Sequence, residues 1–374
     1  MLAVVATAFY LLVGQGQTDL DSHWPVAQAF AAGRLYLLDP IPWLELVPRP
    51  EGGWYSPFPP LMSVLLLPFA VAGVVVDSNV TGAVSGGVSV ALVWLVLLRL
   101  GVAEMPRLAL TVSWAFGSQV LWMATTGGQH LAPQLLAASL LLASIALALD
   151  RRWPILAGLL LGAGAASRLP VGLALPLLVY LYRGEGQRGA WIRLLAGLAV
   201  PALLVAAYNL ARFGDPFEFG YGLIRNVDGE SVLEEPWYEH GIVSLRYIPG
   251  GLYAMLFKGF EWQDTFPWVV PGYIGASVLL TMPILWWIFD ARGRLALVAG
   301  LTAVLILLPD LAHGNPGFAQ LGYRYILDAL PVLWLMLGIA FRERLSRAAL
   351  VALVAGGAVM WWLCMSIWLE LQQA

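Results

Sequence analysis

Long apolar blocks alternate with short polar connections along this chain. Leu61–Val76, Val84–Leu98, Leu131–Leu149 and Leu350–Leu369 are nearly free of charge. The longest approach the ~20 residues that a helix needs to cross a ~30 Å hydrocarbon core. Barrel strands are shorter and alternate in hydropathy, so these blocks predict a helical bundle. The first stretch, Met1–Gly14, is apolar but has neither a basic leading region nor a small-residue cleavage site. It reads as a short or N-terminally trimmed first span.

Composition turns that pattern into an exclusion. Of 374 residues, 60% are hydrophobic and 11% charged, against roughly 45–50% and about 25% in ordinary globular proteins. A soluble fold of this length could not find polar cover for so much apolar surface. The net charge of -3 argues against nucleic acid as a partner. The one cysteine, Cys364, lies in the last apolar block, which excludes an intrachain disulfide and leaves the redox compartment open.

Orientation follows from the distribution of arginine, which collects on the cytoplasmic side. Basic connections carry Arg99 and Arg107, Arg151 and Arg152, Arg183 with Arg188 and Arg193, Arg292 and Arg294, and Arg342 with Arg344 and Arg347. The connections Gln15–Ser56, Thr125–His130, Phe213–Thr265 and Asp310–Gly322 are acidic or neutral and should face outward. The two sets alternate with one exception. Between Ser56 and Arg99 lie two apolar stretches, Pro57–Val76 and Val80–Leu98, and two crossings there would put Arg99 outside. Pro57–Val76, opened by Pro57, Pro59 and Pro60 and interrupted by Pro68, is therefore read as a helix at the outer interface. The remaining spans fall near 80–98, 108–124, 131–149, 153–167, 169–182, 191–211, 267–289, 295–309, 323–341 and 348–369. Together with the first span they predict an all-α integral membrane bundle of about 11 crossings, N-terminus inside and C-terminus outside.

The chain reads as a single transmembrane domain over 1–374, with two outer segments too long to be turns. A first external loop covers 15–78 and includes the amphipathic stretch Trp24–Leu37 and a Pro/Gly/Trp-rich end. A large external loop covers 213–265 and gathers nine acidic residues, among them Asp228, Glu234, Glu239 and Glu261. Long ordered loops on a rigid scaffold commonly carry function.

Within the first loop, Thr18-Asp19-Leu20-Asp21-Ser22-His23 places two carboxylates where the first span ends. Such a pair can hold a divalent cation, or one member can serve as a base that the other tunes. It can equally cap the helix that follows. Arg168, in Ser167-Arg168-Leu169-Pro170, and Arg324 fall at outer edges, against the positive-inside trend. Both suit bidentate contact with a phosphate, although snorkelling or an i,i+4 pair of Arg324 with Asp328 would also account for them. His23, His130 and His240 are candidate substrate or metal contacts. Tyr55 is a candidate for stacking on a sugar ring, or a member of an interfacial aromatic belt.

The order of these pieces resembles the GT-C glycosyltransferases. The carrying motifs are Asp19 followed by His23, an Ala-rich helix ending at Gly33, and Tyr55-Ser56-Pro57-Phe58-Pro59-Pro60-Leu61. Tyr208-Asn209, Arg212-Phe213-Gly214-Asp215-Pro216 and Phe219-Gly220-Tyr221 then resemble the family's seam between a span and the large external loop. Gly322-Tyr323-Arg324-Tyr325 with Asp328 resembles its late motif. The chain departs from the family in having Gln129 and His130 where several relatives carry an acidic residue, and Asp-Leu-Asp where Asp-Glu is common.

The resemblance, to a family that includes protein O-mannosyltransferases and aminoarabinose transferase-like bacterial enzymes, implies a polyprenyl-phosphate-linked sugar donor. The acceptor would be the hydroxyl of a lipid, glycan or protein, at the outer face of a bacterial inner membrane. Asp19, with Asp21 as runner-up, would take the acceptor's proton, and Arg324 with Arg168 would hold the donor phosphate. Transfer would invert the anomeric carbon. No cofactor is implied with certainty, and Mg or Mn is compatible with the paired carboxylates. A transporter or flippase of lipid-linked sugars is the competing reading, against which stand the absence of an internal repeat and the crowding of charge in outer loops.

Overall fold

The computed structural model describes residues 1–14, 18, 20–42, 44–184, 189–225, 229–317 and 320–373, the side chains of 368–373 excepted. Fifteen α-helices and two short hairpins are described. The chain opens with α1 (Leu2–Val13) and α2 (His23–Ala31). Next come a hairpin of β1 (Val47–Pro48) and β2 (Trp54–Tyr55), α3 (Leu61–Ala72) and α4 (Ser78–Arg99). Helices α5 (Glu104–Phe116), α6 (Gln119–Thr126), α7 (Ala132–Leu149) and α8 (Pro154–Ala165) follow. A 3-10 turn at Leu169–Ala174 runs into α9 (Leu175–Leu181), then α10 (Ala190–Phe213). The large loop holds α11 (Ile248–Leu256) and a second hairpin, β3 (Glu261–Trp262) with β4 (Val269–Val270). The chain ends with α12 (Val278–Thr281), α13 (Arg294–Leu311), α14 (Ile326–Ala340) and α15 (Arg347–Gln373).

Five of these helices are long and apolar enough to cross a membrane singly: α4, α7, α10, α13 and α15. Two predicted spans take a different form. The 108–124 stretch is divided between α5 and α6 at Gly117–Ser118, where Ser118 Oγ donates to the Trp114 carbonyl at 2.6 Å and caps α6 by accepting from Val120 N. The predicted span over 267–289 is not one helix. Pro267, Pro271 and Gly272 interrupt its first half, and Pro283 starts a 3-10 segment, Pro283–Asp290, rather than continuing α12. Proline lacks the amide proton that helix continuation requires, so high hydropathy alone could not carry a helix through. The Pro57–Val76 stretch forms α3, whose 12 residues reach only about 18 Å at 1.5 Å per residue. It packs on α2 and touches α7.

Helices α7 and α14 form the centre. Nearly every residue of α14 is buried, as expected of a helix apolar on all faces. Trp334 Nε1 donates to the Leu110 carbonyl at 3.0 Å and Trp114 Nε1 to Ser89 Oγ at 2.8 Å, while the two indoles meet edge to face at 5.3 Å. Each buried ring thus keeps a partner for its polar atom.

Loop contacts sort into two ends. At one end the basic connections meet: Arg99 Nε lies 3.1 Å from Asp150, Ala103 N donates to the Arg342 carbonyl, and Tyr182 donates to the Arg152 carbonyl. At the other, Gln129 N donates to the Leu20 carbonyl, Ser244 N to Ala312 and Tyr323 N to Ala276. This is the division drawn from the arginines.

Helices α8 and α10 make the most extensive helix pair. A Cβ at Gly158 would run into the Leu194 carbonyl, and one at Gly197 into that of Ile155. Small residues at such crossings let backbones touch, which is how helices associate where lipid replaces water. Gly158→Ala and Gly197→Ala should therefore each destabilise the protein by about 1–3 kcal/mol, the usual cost of overpacking. Gly357→Ala on α15, where nothing lies within 4 Å, should be neutral. Thermal unfolding in detergent checks this, and equal melting of all three variants would contradict the close crossing.

Candidate active site

A half-buried cation ties three elements together at the acidic end. Arg168, in the turn after α8, donates through Nε to Asp328 at 2.7 Å and through Nη2 to Asp310 at 3.0 Å. Asp328 is in the first turn of α14 and Asp310 in the last turn of α13; both are buried. Gln134 of α7 donates to Asp328 Oδ1 at 2.9 Å and to the Arg324 carbonyl at 3.2 Å. Ser167 Oγ holds the Arg168 turn to α7 through the Pro133 carbonyl, and Tyr323 holds the Asp310 carbonyl.

Above this network opens a cavity of about 520 Å³ with two unlike halves. Gly162, Ala165 and Ala166 of α8 with its turn and Leu198, Ala202, Val205 and Ala206 of α10 make an apolar trough. Polar side chains from several elements make the other half: Glu45, His130, Asn209, Arg212, Tyr221, Tyr238, His313 and Arg324.

Arg212, at the end of α10, is 8% exposed. Its Nη1 donates to the Ser56 carbonyl at 2.6 Å and its Nη2 to Asn209 Oδ1 at 2.9 Å, while the buried Nε finds no acceptor. The guanidinium lies 3.9 Å from the Tyr208 ring centre and 4.4 Å from that of Phe213. No carboxylate among the described residues pairs with it. Arg324 is 7% exposed and, with Arg168, flanks the Tyr325 ring at 5.2 and 4.8 Å. Among the described residues, the polar half of the cavity thus carries two guanidinium groups, Arg212 and Arg324, and one carboxylate, Glu45.

Burial shifts the groups around it. His130 is held well below its ordinary range by burial, and further by the charges of Arg324, Arg168 and His23. Burial lowers His313 in the same way, against its hydrogen bond with the Asn315 backbone. Both imidazoles are neutral near pH 7, so they offer hydrogen bonds rather than charge. Burial pushes the Tyr221 phenol to about 12. Burial also raises the Glu45 carboxyl, with Arg324 opposing that rise.

Of the sequence candidates, Arg168, Arg324 and His130 line the cavity. Asp19 lies outside the described residues. Asp21 Oδ1 accepts from His23 N at 2.9 Å and so holds the start of α2. His23 is buried away from the cavity lining; its Nε2 meets the Gln129 carbonyl at 3.1 Å and its Nδ1 the Ser63 hydroxyl at 3.4 Å. That network makes Nε2 the protonated nitrogen and His23 a strut between α2, α3 and the 129 loop. His240 is exposed and stacks on Tyr247, and Tyr55 packs edge to face on Phe213. Asp328 is engaged by Arg168 and Gln134. No three metal-ligating side chains converge among the described residues, and the one close carboxylate pair, Asp310 with Asp328, is bridged by Arg168.

Sequence reasoning did not single out Glu45 or His313, and it held Arg212 and Tyr221 only as members of a motif of the resemblance. Two left a signal: Glu45 is the lone charge in Ile41-Pro42-Trp43-Leu44-Glu45-Leu46-Val47-Pro48, and Arg212 closes the uncharged run Leu194–Ala211.

The glycosyltransferase family 87 model matches residues 57–309, about two-thirds of the chain. The chain belongs to glycosyltransferase family 87. Its fold is that of the GT-C membrane glycosyltransferases. The family 87 chain is similar to a crystal structure of ArnT from Cupriavidus metallidurans bound to undecaprenyl phosphate, at a TM-score of 0.54 and 18% identity. The match covers 96% of this chain and 61% of that one, so this chain spans about three-fifths of the solved protein's length. No curated protein matches it.

Two outcomes follow for this family 87 site. Arg168→Ala would leave two buried carboxylates facing each other, and breaking a buried pair costs about 3–5 kcal/mol; melting like wild type would contradict the bridging role. His130 binds its proton more weakly folded than unfolded, so its contribution is present above the unfolded value of about 6.5 and is lost as pH falls below it. The melting temperature should therefore drop between pH 7.5 and 5.5, and His130→Gln should flatten that drop. An unchanged slope in the variant would show that His130 is not held neutral.

Proposed function

We propose that this glycosyltransferase takes its sugar from a polyprenyl-phosphate donor and passes it, with inversion, to an acceptor hydroxyl at the outer face of the membrane. The observation that carries this reading is the two-sided cavity: an apolar trough on α8 and α10 continuous with a pole carrying Arg212 and Arg324. An isoprenoid chain suits the trough, and a phosphate suits the pole. A buried guanidinium with no carboxylate is costly unless an anion arrives to compensate it, and Arg212 also has an Nε–H to offer. The ArnT structure, with its bound undecaprenyl phosphate, supports the same class of donor.

In this mechanism the acceptor oxygen attacks the anomeric carbon from the face opposite the phosphate. The bond to the phosphate oxygen breaks, and the leaving charge falls between Arg212 and Arg324. Fixed donors at a site of developing charge are the largest contributors to many rate enhancements. Tyr221, Tyr238, His130 and His313, all neutral, surround the space for the sugar and can hydrogen-bond its hydroxyls. The outer placement rests on the acidic or neutral loops that build the cavity, while the arginine-rich loops gather at the far end. The carboxylate implied by the resemblance for the acceptor's proton is Asp19.

Removing a charge-assisted hydrogen bond costs about 1.5–3 kcal/mol, so Arg212→Ala and Arg324→Ala should each weaken undecaprenyl phosphate binding roughly 10- to 100-fold. Lysine at either position keeps charge but loses the planar fork and should restore only part of it. Binding measured by tryptophan quenching in nanodiscs decides the matter. Unchanged affinity in both alanine variants, with folding intact, would remove the phosphate from this pole.

A further inference from the structure

The hairpin of β3 and β4 carries an aromatic surface that the cavity does not use. It folds against α15, where Trp362 Nε1 donates to the Val269 carbonyl at 3.0 Å. The Trp268 ring stacks on that of Trp362 at 6.5 Å, and Phe266 meets both indoles edge to face at 5.0 and 5.7 Å. Trp268 and Phe266 stay about half exposed nonetheless. Trp262 is 81% exposed, and Phe257 and Tyr273, before and after the hairpin, are 70% and 69% exposed. The level of this surface follows from α15. Fifteen residues separate Trp362 from Arg347, where the helix begins, or about 22 Å along its axis. With the basic end of α15 at the inner boundary of a ~30 Å hydrocarbon core, Trp362 lies in the outer third, close under the head groups. Val351, Val354 and Met365 of the same helix are also exposed, and all three fall within about 80° of Trp362 at 3.6 residues per turn. The lipid-facing side of α15 therefore runs without a break into the hairpin.

We propose that the β3–β4 hairpin, with Phe257 and Tyr273, is a membrane anchor seated in the outer leaflet, its rings at the level of the lipid head groups. The partner is the lipid surface itself. Tryptophan and tyrosine favour that level because the ring body faces acyl chains while the N–H or O–H meets water and head groups. The hairpin backbone suits a place poor in water, because Gln263 N donates to the Trp268 carbonyl and Trp268 N to that of Thr265. Charge does not hold it there. Residues 257–273 carry one cation, Lys258, against two carboxylates, Glu261 and Asp264, and Lys258 lies 3.3 Å from Glu261. A segment of that balance gains nothing from anionic lipid, so the rings carry the contact. The anchor also accounts for the apolar run that begins at Pro267. Pro267 and Pro271 keep it from crossing as a helix, and its hydropathy serves a seat at the interface instead.

The test places one fluorophore at a time on the full chain in phosphatidylcholine nanodiscs. Cys364→Ser removes the one cysteine, and Phe257→Cys, Trp262→Cys or Tyr273→Cys then takes an NBD label. Two exposed positions serve as references. Ala358→Cys, about 17 Å above Arg347 on α15, reports mid-bilayer, and Glu239→Cys in the large loop reports water. Elution as wild type in size-exclusion chromatography shows that a labelled variant is folded, and three positions keep the reading available where one substitution disturbs folding. The three labels should be quenched most by a nitroxide carried just below the lipid head group. They should be quenched less by one near the end of the acyl chain, and little by an aqueous nickel chelate. The same pattern should hold in high salt, which screens charge and leaves ring burial in place. Quenching chiefly by nickel, as at Glu239, would put the hairpin in water and overturn the proposal. Quenching chiefly by the deep nitroxide, as at Ala358, would overturn it by making the segment cross. Protection from all three quenchers would overturn it as well, because protein, such as a second copy of this chain, would then cover the rings.

Discussion

The bridge from Arg168 to Asp310 and Asp328 is the interaction on which the outer half of the molecule depends. It joins the turn after α8 to the ends of α13 and α14, and Gln134 extends it to α7. These elements are otherwise apolar helices that could slide past one another, because lipid offers no hydrophobic penalty for exposing leucine or alanine. A buried ion network cannot slide without leaving charges uncompensated. It therefore sets the register of the helix ends, and with it the position of Arg324 and Tyr325 in the cavity wall. Arg168 contributes shape to the site through this bridge, whatever else it contacts there.

Arg212 shows the opposite design. Its neighbours are a backbone carbonyl, an amide oxygen and two aromatic faces, all of which orient a guanidinium without neutralising it. The two arginines thus differ in kind: Arg168 has its counter-ions built in, and Arg212 has none among the described residues. Glycine-mediated contact between α8 and α10 lies below the same cavity, so the apolar trough and the cationic pole are carried by one helix, α10. A lipid phosphate held there would have its tail directed along the helix that faces the bilayer.

Much of the architecture was legible because the membrane imposes simple rules. Hydropathy located α4, α7, α10, α13 and α15, and the arginine count sorted the loops into two ends that the contacts reproduce. The 267–289 stretch misled because hydropathy measures apolarity and not helix-forming capacity, and Pro267, Pro271 and Pro283 decide the latter. The site was legible in pieces. Arg324 and His130 could be placed near it because each breaks a local trend, a basic or polar residue at an outer rim. His23 matched a motif in which Asp21 was the runner-up to Asp19, yet the side chains of His23 and Asp21 serve the loop's own structure. Glu45 and Arg212 are brought together by the hairpin of the first loop folding over the end of α10, a contact more than 150 residues apart in sequence, as in the bond from Arg212 to the Ser56 carbonyl. Nothing in local spacing encodes that meeting.

In the proposed function one cavity holds a lipid tail on α8 and α10 and its phosphate between Arg212 and Arg324. A cryo-electron microscopy structure of the protein in nanodiscs with undecaprenyl phosphate tests it most directly. Phosphate density is expected within hydrogen-bond distance of both guanidinium groups, with isoprenoid density against Gly162, Ala202 and Val205. Phosphate density at the arginine-rich end, or a tail lying outside the α8–α10 trough, would contradict it.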